Sequence, residues 1–177
     1  RALEAHYKRV GIQAQVENTE MLGRYRTRFA LLEQPLVSIL IPNKDHIADL
    51  MTCLTSIVEK TTYASYEIVI IENNSEQQET EAFYRDLESG KIPEYADLVR
   101  SERLRYPGSF NYSAIHNFAL PYTKGEYLLL LNNDTEVRSG GWIEELLGLC
   151  QQKDIGVVGA KLYYPDGTIQ HAGVVIG

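Results

Sequence analysis

Cysteine is scarce. The chain has two, Cys53 and Cys150, far apart and in no C-x-x-C spacing, which argues against a zinc site or a disulfide framework. Both read as reduced, buried thiols of a cytosolic protein. Long apolar runs are missing too. The longest candidate, Tyr127 to Leu131, has a strand's length, against the ~18–20 residues of a membrane span. No signal-peptide pattern opens the chain. Positive charge is in deficit, with 17 Lys and Arg against 24 Asp and Glu and a net charge of -7. That argues against a nucleic-acid or anionic-membrane surface. A phosphorylated ligand would need local donors or a metal. No G-x-G-x-x-G follows Ile41 and no G-x-x-x-x-G-K-[ST] occurs, so dinucleotide oxidoreductases and P-loop enzymes are poorly supported. His116 and His171 have no Ser or Cys in a recognisable arrangement, so no nucleophilic triad is read.

What is present is an ordinary globular mixture. The 177 residues, 44% hydrophobic and 23% charged, give room for one domain with a sizeable core. Residues 1–35 differ from the rest and read as an N-terminal extension: Ala2 to Val10 as a helix tail, Gln13 to Glu17 and Tyr25 to Leu31 as short strands around Gly23. Residues 36–177 read as the main domain. The chain starts at Arg1 and stops at Gly177, inside the apolar run Gly173-Val174-Val175-Ile176. The expectation is a piece cut from a longer protein, with apolar surface near Val174 to Ile176 that favours a homodimer.

From Pro35 onward strand and helix alternate. Val37 to Ile41 is a β-branched, apolar run closed by Pro42 and reads as a buried parallel strand. Ile47, Leu50, Leu54, Ile57 and Val58 follow helical spacing. Glu67 to Ile71 is a second buried strand. A helix is expected over 76–90, with Phe83 and Leu87 on one face, and a short strand over Val99 to Arg103. Residues Gly108 to Ser113 offer caps for a helix through Leu120. Glu126 to Leu131 is a strand, and Trp142 to Gln151 an amphipathic helix with Ile143, Leu146, Leu147 and Cys150 on one face. Val157, Val158 and Lys161 to Tyr164 read as a further strand. Pro165-Asp166-Gly167 then turns a hairpin into Thr168 to His171. The alternation predicts an α/β three-layer sandwich with a mostly parallel central sheet.

In open α/β sheets ligands bind beyond the carboxyl ends of the strands. Three strands here end in polar clusters: Asn43-Lys44-Asp45, Glu72-Asn73-Asn74-Ser75 and Asn132-Asn133-Asp134. All three should share one edge. Asp134, with Asn132 two residues before it, offers oxygen ligands that suit Mg²⁺ or Mn²⁺ completed by substrate phosphates; the competing reading is an Asx-turn. Glu72 offers a carboxylate that only accepts hydrogen bonds. It could take the ring N–H of uracil, thymine or guanine, which adenine and cytosine lack, or it could serve a helix N-terminus.

Taken together, Val-Ser-Ile-Leu-Ile-Pro-Asn-Lys-Asp (37–45), Tyr-Glu-Ile-Val-Ile-Ile-Glu-Asn-Asn-Ser (66–75), Phe-Asn-Tyr-Ser (110–113) and Leu-Leu-Asn-Asn-Asp-Thr-Glu (130–136) resemble family-2 glycosyltransferases. These are inverting enzymes of the nucleotide-diphospho-sugar transferase (GT-A) fold. The resemblance is nearest to the bacterial branch that builds surface polysaccharides, including rhamnose-rich ones, and covers about Pro35 to Gly177. It implies that Pro42, Asn43 and Asp45 wall the nucleoside and that Glu72, with Asn74 beside it, contacts the base. Asn111, Asn117 and Asn133 would complete the nucleotide pocket. Asn132-Asn133-Asp134 would be the D-x-D-like metal motif, and Lys161 to Gly173 would approach the acceptor. The sequence departs from the family pattern twice. Asn132 replaces the first Asp of the motif, and His116 stands where many relatives carry Arg before the Asn matching Asn117.

The resemblance therefore implies transfer of a sugar, with inversion, from a nucleoside-diphosphate donor to a glycan or lipid-linked acceptor. Mg²⁺ or Mn²⁺ would assist, and no nucleic acid would take part. The catalytic base is expected beyond Gly177, because Asp166 lies in a turn. The implied location is cytoplasmic, at the inner face of the membrane for a full-length parent. The rivals are a nucleotidyltransferase that makes nucleotide sugars, which would normally show a Gly-rich, Arg-containing loop after the first strand, and a non-catalytic binding module.

Overall fold

A continuous apolar run marks a strand covered on both faces, because no position alternates toward water. The computed structural model, which describes residues 2–95 and 104–173, bears this out at β3, Val37–Asn43, where every residue but Pro42 is buried. The strand continues through Pro42 instead of ending there. The ladder explains how. The Leu131 amide donates to the Leu40 carbonyl at 3.0 Å and the Asn73 amide to the Asn43 carbonyl at 2.8 Å. Leu40 and Pro42 thus turn their backbone groups toward β6 (Tyr127–Leu130), and Asn43 toward β4 (Tyr66–Glu72). Pairing with β6 stops at Leu40 opposite Leu130. The proline nitrogen faces a place with no partner strand, so its missing N–H costs the ladder nothing.

Four strands form a wholly parallel sheet in the order β5-β4-β3-β6, with β5 at Leu104–Arg105. Helix α2 (Ile47–Lys60) joins β3 to β4, α3 (Gln78–Glu88) joins β4 to β5, and α4 (Tyr112–Ala119) leads back across the sheet to β6. Right-handed crossovers put α2 and α3 on one face and α4 on the other. Ile115 and Ala119 of α4 pack on Leu40, Val69 and Ile71. Strand alternation turns Ile39, Ile41, Ile68 and Ile70 to the opposite layer. Leu50, Cys53, Leu54 and Ile57 of α2 are fully buried. The three-layer α/β expectation holds. The connections reverse direction between β3 and β6, and that reversal marks the crevice of such sheets.

This sheet and its helices make one compact unit, residues 34–140; residues 2–33 with 141–173 make a second. In the second unit α1 (Ala2–Arg9) precedes the antiparallel pair β1 (Ala14–Asn18) and β2 (Tyr25–Phe29). Helix α5 (Trp142–Cys150) lies close to β2, and a side chain at Gly148 would begin 2.6 Å from the Phe29 carbonyl oxygen. Arg26 and Arg28 both pair with Glu145. The hairpin β7–β8 (Leu162–Tyr163, Ile169–His171) turns at Gly167 with φ 86°.

Two expectations need correction, and two others fall outside the described residues. Val157 and Val158 are not in a strand, and Val157 is 90% exposed, with no strand paired to it among the described residues. Cys53 is buried as expected, but Cys150 is only half-buried, at the last turn of α5. The strand expected over Val99 to Arg103 falls on residues outside those described, as does the surface expected at Val174 to Ile176; β5 begins just after the former. Among the described residues no helix is long and apolar enough to cross a membrane.

Candidate functional site

Parallel pairing decides where the polar clusters meet. Asn43 lies opposite Glu72, and Leu40 opposite Leu130, so the three clusters leave one edge of the sheet together. That edge is strained. Asp45, His46 and Asn74, with φ of 54°, 46° and 59°, are the described non-glycine residues with positive φ. Each such residue costs on the order of 1–2 kcal/mol, less for Asn and Asp. Strain of this kind concentrates at functional sites.

Glu72 closes β4 and is 3% exposed. Its Oε1 accepts the Ser75 amide and its Oε2 the Ser75 hydroxyl, each at 2.6 Å. The Asp45 amide donates to the same Ser75 hydroxyl oxygen at 2.8 Å. Asp45 Oδ1 accepts the amides of Glu76 and Gln77, both at 2.9 Å, just ahead of α3. The Gln77 amide holds the Asp45 carboxyl below its usual range, against a smaller opposing effect of burial. Asn73 and Asn74 each donate a side-chain amide to the Gly108 carbonyl at 2.9 Å, tying β4 to the loop before α4.

The third cluster is held by side chains. Asn133 Nδ2 donates to Asn43 Oδ1 at 2.7 Å, and Asn43 Nδ2 donates to the Tyr84 hydroxyl at 3.0 Å. The Thr135 hydroxyl donates to the Asn132 carbonyl at 2.8 Å, and the Cys53 thiol approaches the same carbonyl at 3.8 Å. Burial pushes the Cys53 thiol pKa up. Asp134 and Asn132 are exposed. Among the described residues, neither side chain has a hydrogen bond or ion pair. No group of three His, Cys, Asp or Glu converges among those residues. Two unengaged oxygen-bearing side chains fit a hard cation held mainly by a ligand's own phosphates and water.

Pro42, Asn43, Asp45, Glu72, Asn74, Asn132, Asn133 and Asp134 are thus brought to one edge. Asn111 is the N-cap of α4, its Oδ1 accepting the Ala114 amide at 2.9 Å. Asn117 is exposed on α4, with no bond to the strand-end network among the described residues. His116 beside it is 5% exposed. Its Nδ1 lies 2.7 Å from the Tyr112 carbonyl oxygen, and its Nε2 has no partner among the described residues. Lys161 to Gly173, expected near the acceptor, and His171, exposed in β8, belong to the second unit. Sequence reasoning missed Asn73, Ser75, Tyr84 and Cys53. Asn73 and Ser75 stood inside a polar cluster already singled out; Tyr84 and Cys53 gave no signal beyond a helical apolar spacing.

The Glycosyl transferase family 2 model matches residues 38–173, a span that holds every one of these strand ends. The chain belongs to that family. It is 40% identical over 177 residues to the O-antigen biosynthesis protein RfbC of Myxococcus xanthus, covering all of this chain and 13% of that protein. It is 39% identical over 178 residues to protein y4gI of Sinorhizobium fredii, covering all of this chain and 19% of that one. The family-2 chain thus spans under a fifth of the length of these relatives. Among solved structures it resembles the mannosyltransferase PcManGT of Pyrobaculum calidifontis in complex with GDP-Man and Mn²⁺. The TM-score is 0.59 at 16% identity, over 71% of this chain and 35% of that one. Residues 1–349 of TarS from S. aureus follow, with TM-score 0.50 at 14% identity, over 64% and 32%. The fold is of the GT-A type.

Proposed function

We propose that this chain is the donor-binding part of an inverting, metal-assisted glycosyltransferase that builds a bacterial surface polysaccharide. The observation that carries the reading is the meeting of Asn43, Glu72 and the Asn132–Asp134 turn at one strained edge of the sheet. The O-antigen name of a relative and the GDP-Man and Mn²⁺ of a structural neighbour support it. Glu72 would accept a ring N–H of the nucleobase, and Pro42, Asn43, Asp45 and Asn74 would wall the nucleoside. Asn111, Asn117 and Asn133 would flank the nucleotide. Asp134, helped by Asn132, would hold Mg²⁺ or Mn²⁺. When bound, the cation would offset the charge of the departing nucleoside diphosphate.

The base that deprotonates the acceptor hydroxyl is assigned to residues outside this chain. Asp166 is a poor candidate, because its Oδ1 already accepts the Thr168 amide at 2.9 Å and the Thr168 hydroxyl at 2.7 Å. The acceptor is taken to be a glycan or lipid-linked glycan, met at the cytoplasmic face of the membrane. Calorimetric titration with UDP, dTDP, GDP, ADP and CDP, with Mn²⁺ and then with EDTA, tests the reading. Saturable binding of at least one diphosphate that weakens in EDTA is expected. No binding by any of the five would remove the assignment.

A further inference from the structure

Asn43 occupies an unusual position. It ends β3 at 2% exposure, and both ends of its amide are used. Oδ1 accepts from Asn133 at 2.7 Å, Nδ2 donates to the Tyr84 hydroxyl at 3.0 Å, and its backbone carbonyl accepts the Asn73 amide at 2.8 Å. Tyr84 is itself 2% exposed, on the inner side of α3. A three-residue chain of polar groups thus runs from the core, through the end of β3, to the turn that carries Asp134. The backbone does not supply that restraint. The ladder between β3 and β6 ends at Leu131 bonding Leu40. Beyond it, among the described residues, no backbone–backbone hydrogen bond holds residues 132–134 to the sheet. The turn rests on the Asn43–Asn133 bond on one side and on the Asn132 carbonyl, bonded by Thr135 and approached by Cys53, on the other.

A buried amide that loses a partner shifts to find another, because an unsatisfied polar group in the core is costly. For Asn43 any such shift moves the oxygen that Asn133 holds, and Asp134 is the next residue. We propose that Tyr84 is a positioning residue for the metal turn. It acts through Asn43 and Asn133 to set where the Asp134 carboxylate stands, so affinity for a metal–diphosphate depends on a phenol in α3 that touches neither. The inference rests on the reading of Asp134 given above. It makes one demand of its own: because the Asn43 amide is buried and its outer bond runs to Asn133, Tyr84 must tune the metal-dependent part of binding well beyond the nucleoside part.

The test removes only the hydroxyl, with Tyr84→Phe, and reads binding. UDP, dTDP and GDP are titrated in Mn²⁺, and uridine, thymidine and guanosine in EDTA, beside Asn133→Ala, the double variant and Asp134→Ala. Tyr84→Phe is expected to weaken diphosphate binding in Mn²⁺ by roughly three- to tenfold, the worth of one hydrogen bond. The Mn²⁺ concentration for half-saturation should rise in step, with nucleoside affinity kept within about twofold. Because the two residues act along one chain, the double variant should lose little more than Asn133→Ala alone. Equal losses for nucleoside and diphosphate, or fully additive losses, would overturn the proposal. If Tyr84→Phe does not fold, Asn133→Ala at the half-buried turn carries the same comparison. Asp134→Ala separates the two ideas. If it leaves binding in Mn²⁺ unchanged, the metal assignment fails and this inference with it. If it weakens binding while Tyr84→Phe does not, only the positioning role fails.

Discussion

Ser75 closes a clasp on Glu72, giving its amide to one carboxylate oxygen and its hydroxyl to the other, each at 2.6 Å. A carboxylate has about four lone-pair sites, so the clasp orients the group and leaves acceptor capacity for a ligand. The clasp realises the first of the two roles that the sequence offered as alternatives, ordering the segment before a helix, and it leaves room for the second, the nucleobase contact proposed above.

Uridine, thymidine and guanosine diphosphates should therefore bind better than adenosine and cytidine diphosphates. One charge-assisted hydrogen bond contributes about 1.5–3 kcal/mol, or roughly ten- to a hundredfold in affinity. Glu72→Gln should narrow the gap. Competition calorimetry checks this, and equal wild-type affinity for all five would take Glu72 out of the base pocket.

Asp134→Ala should leave stability nearly unchanged, within about 0.5 kcal/mol, as expected of an exposed side chain with no hydrogen bond or ion pair among the described residues. It should weaken diphosphate binding in Mn²⁺ by about tenfold or more, at least ~1.4 kcal/mol. Thermal melts and titrations on the same preparation read both. Unchanged affinity in a well-folded variant would refute the metal role.

Acid should expose the part played by Asp45. Its carboxyl is held below the ordinary aspartate range, chiefly by the Gln77 amide, so the carboxylate favours the folded state when ionised. That stability is fully present above about 3.8 and is lost as pH falls through the lower folded value. Near neutrality Asp45→Ala should cost about 1 kcal/mol, the typical worth of a capping carboxylate. Urea midpoints of wild type and variant should start to converge below pH ~3.8 and meet only below the folded value of Asp45; a constant difference down to the most acidic pH would contradict this.

At the opposite end of the sheet, Gly125→Ala should destabilise without touching the site. A Cβ there would lie 2.5 Å from the Ser38 amide nitrogen and 2.6 Å from its hydroxyl. That hydroxyl oxygen accepts the Gly125 amide and donates to Glu67. The start of β6 would be pushed from β3, at about 1–3 kcal/mol. Melting should fall by several degrees with diphosphate affinity retained, and an unchanged melting temperature would show that the strands adjust freely.

Much of this was legible beforehand because it rests on local pattern. Buried parallel strands announce themselves as unbroken runs such as Ile68 to Ile71, and parallel topology sends their polar ends to one edge. Asn43, Glu72 and Asp134 could be named together for that reason. Tyr84 could not be named, since its phenol reads as one more aromatic residue on an amphipathic helix until the fold sets it beside Asn43. Val157 misled because an apolar dipeptide satisfies a strand pattern whether or not a partner segment lies next to it. Asn111 was chosen both as a cap and as a pocket residue, and the bond to Ala114 realises the first role.

Pro42 has a consequence for how the edge where β3 and β6 part would receive a ligand. An ordinary residue there would offer an N–H toward β6, and the two strands could zip one step further. An imide nitrogen cannot. The separation of the strands past Leu40 and Leu130 is therefore written into covalent structure and does not wait for a ligand to create it. A ligand bound there would have no ladder to break, and the free energy of its contacts would appear as affinity instead of being spent on opening the sheet.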